Sequence, residues 1–315
     1  MRIVGILLVS LLLFGVLGFV GFSLGEAQNV QLNVFTIPTR QGVTVKTLLV
    51  TLTGTSKGVL VLFIGGAGLQ AFGGCCQGGQ VNYNDNFLSR STPLFTAQGY
   101  SVLLVNAPSD QPKGMSLDFR LSSANAQDIS MIIDFLISKS LKPIFLVGTS
   151  RGTISVENFA STNPNDNRIS GIVLTSTYSL SELQILVKGA ALQVQSVALP
   201  VLFVHNVFDG CSETPFQAAV DFSKTFTRSS KLDFIKVQDQ VTPDPDPCGA
   251  MSAHGYKGAE SQAVQDVTDW TSQISSISQS SAITPMPLLI LSTPNSKERI
   301  SSEIFANYSV FFVNY

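Results

Sequence analysis

Apolar and polar positions follow two different rules along this chain. Residues 30–37 (VQLNVFTI) and 43–52 (VTVKTLLVTL) alternate. That period of two predicts an antiparallel pair around the turn at 38–42. Further on, short runs are apolar almost throughout: 58–64 (GVLVLFI), 100–106 (YSVLLVN), 144–147 (IFLV), 169–175 and 200–204 (PVLFV), and 232–237 (LDFIKV) reads as a sixth strand although it carries Asp233 and Lys236. Runs without alternation belong to strands buried on both faces. Between them, apolar residues recur at helical spacing. The predicted helices cover 87–98, 121–140, the stretch after Gly152, 180–197 in one or two pieces, 215–226 and 259–276. In the second, Ile129, Ile132, Ile133, Leu136 and Ile137 share a face. Strand and helix thus alternate after an antiparallel start. This predicts an open, doubly wound, mostly parallel α/β sheet with helices on both faces. Sites in such sheets lie at the carboxyl ends of the strands.

The two ends of the chain fall outside this pattern. After Arg2, residues 3–24 carry no charge, and small residues at 23, 25 and 27 offer cleavage sites. Residues 1–27 therefore read as a secretory signal peptide. A run of this length also fits an uncleaved signal-anchor. Both readings put the body outside the cytoplasm, secreted or periplasmic if cleaved and membrane-anchored if not. Residues 28–280 hold the alternating elements. Residues 281–315 form an extension, apolar in ITPMPLLILSTP and aromatic-rich in FANYSVFFVNY, with no place in the α/β pattern.

Composition narrows the function. The net charge is −2 over 315 residues, and no basic stripe stands out. Nucleic acid is therefore an unexpected partner. The stretch 143–161 (PIFLVGTSRGTISVENFAS) reads as a buried strand, a sharp turn and a helix. Gly148 and Gly152 let the backbone turn tightly and lift Ser150 out at the strand end. A serine hydroxyl needs a base within hydrogen-bond reach, and the base needs an orienting acid. Only two histidines exist. His205 ends an apolar strand, where a ring is packed. His254 lies in a loop (MSAHGY) and is the better base. Asp209 follows the strand that ends at His205 and is the expected acid. Asp244 and Asp246 suit a solvated loop, and Asp233 sits at the wrong end of its strand. Asp110, Asp118 and Arg120 flank a loop that either lines the pocket mouth or is simply solvated.

An oxyanion forming at Ser150 needs two backbone N–H donors. Arg151 is expected to supply one and Ala67, in the Gly-rich loop 65–69, the other. The four cysteines allow three pairings. A Cys211–Cys248 bridge would clip the acid loop to the base loop. On the chain-entropy model it would stabilise by about 4 kcal/mol. Cys75 and Cys76 are adjacent and keep several options. The cysteines lack a C-x-x-C spacing, so neither metal nor cofactor is expected.

GGAGL after a strand, GTSRG at the turn, HNVFDGC and AMSAHGY together resemble the α/β-hydrolase superfamily; within it, NDNFLSRSTPLFTAQGYSVLLVNAPSD, LVGTSRGTISVENFA and the DGC…PCGAMSAHGY pairing resemble exported bacterial serine hydrolases of unassigned substrate. The resemblance covers roughly residues 30–275. It implies the α/β-hydrolase fold with Ser150 as nucleophile, Asp209 as acid and His254 as base, in the chain order of that superfamily. One departure is Gly65-Gly66, where many members carry His-Gly. The short stretch between 175 and 200 leaves room for a small cap or none. The implied activity is hydrolysis of carboxylic esters of small molecules through an acyl-enzyme. Amide cleavage, acyl transfer and a non-catalytic binding role on the same scaffold are the alternatives.

Overall fold

The computed structural model describes residues 30–72, 81, 83–179, 192–238 and 245–282. The leader at 1–27, Cys75 and Cys76, Asp244 and residues 283–315 lie outside them.

Among the described residues, eight strands form one sheet. They are β1 (Val30–Arg40), β2 (Val43–Leu52), β3 (Val59–Phe63), β4 (Ser101–Pro108), β5 (Ile144–Thr149), β6 (Gly171–Thr175), β7 (Val201–Asn206) and β8 (Leu232–Val237). The order across the sheet is β1-β2-β4-β3-β5-β6-β7-β8. β1 pairs antiparallel with β2, and β2 antiparallel with β4. From β4 onward every pairing is parallel. The doubly wound, mostly parallel sheet expected from the apolar runs is present. The central strands β3, β5, β6 and β7 are buried at every position. β8 differs: as the edge strand it is largely half-buried.

Among the described residues, seven α-helices cover the faces. These are α1 (Phe87–Arg90), α2 (Thr92–Ala97), α3 (Leu117–Arg120), α4 (Ser123–Ser138), α5 (Arg151–Thr162), α6 (Phe216–Ser223) and α7 (Glu260–Ala282). Alternate strand residues feed two cores. Val59, Val61, Phe63, Leu146 and Phe203 pack with Ile129, Ile133 and Leu136 of α4 and with Val156 and Phe159 of α5. Leu60, Leu62, Phe145, Val147 and Leu202 pack on the other face with Phe95 of α2 and with Val264, Val267 and Trp270 of α7. The Trp270 indole N–H is kept satisfied by Asp233, at 2.7 Å.

Helix boundaries depart from the periodic pattern where local chemistry intervenes. The helix expected over 87–98 is two short ones. Ser91 ends α1 and begins α2, and Pro93 stands in the first turn of α2, where its missing N–H leaves no gap. The helix expected from 121 starts at Ser123 because the Ser122 hydroxyl caps it, accepting from the Asn125 N–H at 3.2 Å. The last helix runs on to Ala282. Of the stretch 180–197, the described part holds one 3-10 turn, Val194–Ser196.

Candidate active site

Ser150 stands between β5 and α5 with φ 52° and ψ −131°. A non-glycine residue at positive φ is strained by roughly 1–3 kcal/mol, and such strain collects at functional sites. The surroundings enforce it. The Ser150 N–H donates to Thr175 O at 3.1 Å on β6, and its carbonyl accepts from the Thr153 N–H at 2.9 Å. Gly152 is required because a Cβ there would lie 2.0 Å from Phe63 O. That gap lets α5 start hard against β3, directly behind the serine.

Asp209 and His254 meet at the ends of β7 and of the loop before α7. His254 Nδ1 lies 3.0 Å from Asp209 Oδ2. The same oxygen accepts from the Thr214 hydroxyl at 2.9 Å, and His205 Nε2 stands 3.2 Å from it. The other oxygen accepts from the Cys211 N–H at 2.9 Å. Burial alone would raise the Asp209 pKa. The hydrogen bonds from His205 and His254 outweigh it and hold the carboxyl down at about 2. Asp209 is therefore an anion throughout the neutral range. His205 is fully buried, as expected, and its Nε2 also lies 3.0 Å from Thr214 O.

The His254 loop is fastened to the sheet. The Ser176 hydroxyl donates to His254 O at 2.7 Å. Tyr256 takes the Ser176 N–H at 3.0 Å and donates to Val204 O at 2.6 Å. Arg90 donates to Gly255 O and pairs with Glu260 at 2.9 Å. A disulfide joins Cys211 to Cys248, as the two loops demanded, with their Cα atoms 4.5 Å apart.

Ser150 and His254 line one cavity of about 370 Å³. Its walls include Gly65 to Leu69, Asn84, Phe87, Asp246 and Ala250. Gly65 lies so close to Ser150 that a Cβ on it would stand 2.8 Å from Ser150 Cβ. Among the described residues, neither the Ala67 N–H nor the Arg151 N–H donates to a backbone carbonyl. Arg151 opens α5, and its side chain turns to Glu213 on the acid loop, with Nε 2.9 Å from the carboxylate. Asp246 is exposed at the rim, and Asp233 is taken up by Trp270. Among the described residues, no group of three or more His, Cys, Asp or Glu side chains could hold a metal ion.

Three participants escaped sequence reasoning, and a fourth, Arg120, was given the wrong surroundings. Thr214 and Ser176 are ordinary loop residues there, and no spacing marks them. Tyr256 had one signal, its place two residues after His254. Arg120 belongs neither to a pocket mouth nor to a solvated loop: it is fully buried beneath the loop of Gly65 to Gly68.

No protein-family model and no curated protein matches the sequence. Solved structures do match in shape. A cold-adapted esterase from an Arctic intertidal metagenomic library superimposes with a TM-score of 0.51 at 16% identity, over 78% of this chain and 94% of that one. Brefeldin A esterase, a bacterial homologue of human hormone-sensitive lipase, gives 0.54 at 13% identity over 81% and 80%. Oligopeptidase B from Leishmania major gives 0.54 at 8% identity, over 78% of this chain but only 37% of its own. With its sheet order and its strained serine between β5 and α5, the chain has the α/β-hydrolase fold.

Proposed function

We propose that this protein is a serine hydrolase that cleaves carboxylic esters through an acyl-enzyme. The observation that carries the reading is a single constellation. A strained Ser150 shares a cavity with His254, and the far nitrogen of that imidazole is bound to a buried, anionic Asp209. In this reading His254 takes the Ser150 proton as Oγ attacks the substrate carbonyl. Asp209 keeps the imidazole in the right tautomer and stabilises the imidazolium. The N–H groups of Ala67 and Arg151 receive the oxyanion. His254 then protonates the leaving alcohol, and water releases the acid by the reverse route. The small cavity and the short stretch between β6 and β7 favour small or medium esters.

We infer an extracytoplasmic location for the mature chain. The Cys211–Cys248 disulfide supports it, since such bonds persist in oxidising compartments. No helix among the described residues is long and apolar enough to cross a membrane.

A fluorophosphonate probe tests the reading. The wild-type chain should label at one serine, Ser150→Ala should not, and short p-nitrophenyl esters should be turned over only by the wild type. Equal labelling of both proteins, or of neither, would overturn it.

A further inference from the structure

The guanidinium of Arg120 is buried completely, at 0% exposure, at the end of α3. Among the described residues it makes no ion pair. Its hydrogen bonds go instead to neutral oxygens. Nη1 donates to the Ser155 hydroxyl of α5 at 3.0 Å. Nη2 donates to Ile64 O at 3.3 Å and to Gly66 O at 3.2 Å. A buried cation without an anion is expensive to keep, and loop geometry alone does not require one. Burial, with Arg151 acting in the same direction, lowers its pKa to about 10, so it stays charged at neutral pH.

What it holds is the oxyanion loop. Ile64 and Gly66 flank Gly65, the residue pressed against Ser150. A peptide unit is planar and trans, so its C=O and N–H point in opposite directions. The Gly66 carbonyl and the Ala67 N–H belong to one such unit. Fixing that carbonyl inward on Arg120 therefore aims the Ala67 N–H outward. The next carbonyl is fixed as well, because Ala67 O accepts from the Met115 N–H at 2.8 Å. A cationic donor on the carbonyl also polarises the amide, which makes its N–H a stronger donor.

We propose that Arg120 is a positioning residue: by gripping the Ile64 and Gly66 carbonyls from behind, it aims and strengthens the Ala67 N–H that receives the oxyanion. The proposal rests on the serine-hydrolase reading. It assigns a role to a cation that never touches substrate.

The test uses the whole chain with Arg120→Lys, which keeps the charge but loses the fork, and Ser155→Ala, which removes the helix-side anchor without altering the loop. Competent sites are counted by exhaustive fluorophosphonate titration. Then kcat per titrated site, KM on a p-nitrophenyl ester and inhibition by an alkylboronic acid are measured. Loss of a whole oxyanion donor lowers kcat by about 10²–10³. Misaiming one should lower kcat per site roughly 10- to 100-fold in Arg120→Lys and several-fold in Ser155→Ala. KM should stay within about threefold, and boronate affinity should fall in step with kcat/KM. A merely structural role would reduce the number of titratable sites and leave kcat per site alone. Wild-type kcat per site and wild-type boronate affinity would overturn the proposal, and Ser155→Ala decides it if Arg120→Lys does not fold. A wild-type chain that fails to label at Ser150 would remove the hydrolase reading and this role with it. A labelling wild type with unaltered variants would remove this role alone.

Discussion

His205 and His254 reach the same oxygen of the same carboxylate: Nε2 of one lies 3.2 Å, and Nδ1 of the other 3.0 Å, from Asp209 Oδ2. Two rings, one on β7 and one in the loop before α7, thus converge on one charge. Only His254 also faces the cavity. One imidazole thus lines the cavity, and the other is buried and holds the Asp209 carboxylate in place and ionised.

Asp209→Asn should therefore be far more damaging than any other acid substitution nearby. We expect kcat to fall roughly 10³- to 10⁴-fold with the fold intact by circular dichroism. Asp246→Asn, at the exposed rim, should change kcat by less than about threefold. The reverse ranking in ester hydrolysis would assign the acid to the wrong residue.

Replacing His205 by Phe keeps a packed ring but removes a donor from Asp209. The expected loss in kcat/KM is about tenfold, well short of that for Asp209→Asn. Thr214→Val removes the hydroxyl donor at 2.9 Å and should cost a similar factor. The double variant tests coupling. Because both donors serve one oxygen, the combined loss should differ from the product of the single losses.

The disulfide closes a separation of 37 residues between the acid loop and the base loop. Chain entropy puts its contribution at about 4 kcal/mol. A Cys211→Ser/Cys248→Ser double variant should melt about 10 °C lower. Activity at 25 °C should also fall, since the same bond sets the spacing between Asp209 and His254. Calorimetry and ester turnover on the same sample would separate the two effects.

Glu157 makes stability depend on pH in an unusual direction. It is fully buried, both carboxyl oxygens lack a hydrogen bond, and burial pushes its pKa up to about 8. The Thr153 hydroxyl one turn earlier pulls the other way without completing a bond. In the unfolded chain the carboxyl ionises near its ordinary value of 4.5. Below that pH both states are protonated and no penalty exists. As pH rises from 4.5 toward 8, the unfolded state releases its proton first, and this group makes folding progressively less favourable. Glu157→Gln should therefore match the wild type near pH 4 and exceed it by a few kcal/mol at pH 8. Urea unfolding across that range checks the sign.

The parts of this structure that were legible in sequence are those with a repeating or a steric signature. The runs at 58–64 and 200–204 carry almost no polar residue because the strands they form are covered on both faces, so their existence follows from composition alone. The order of strands does not. β4 inserts between β2 and β3, and nothing in the chain's alternation encodes that neighbour. At the site, the two glycines around Ser150 betray the turn because a side chain fits neither beside Phe63 O at Gly152 nor against the Thr153 backbone at Gly148. Asp209 and His254 are legible from their place after strands. Thr214 and Ser176 are not, since a loop hydroxyl becomes a partner only once distant loops have met. Arg120 misleads outright. Arginine in a polar stretch reads as solvated, and only the assembled loop of Gly65 to Gly68 supplies the carbonyls that draw it inside.

The order of the sheet has a kinetic consequence. Ala67, Ser150, Asp209 and His254 come from widely separated parts of the chain, and the loops that carry them are brought side by side only when β3, β5, β6 and β7 are paired. Pairings of such long sequence separation form slowly, because loop-closure entropy must be overcome before they are rewarded. Catalytic competence should thus be a late event in refolding, trailing the recovery of helical signal. On the proposed mechanism, regain of ester turnover would then serve as a clock for completion of the parallel sheet.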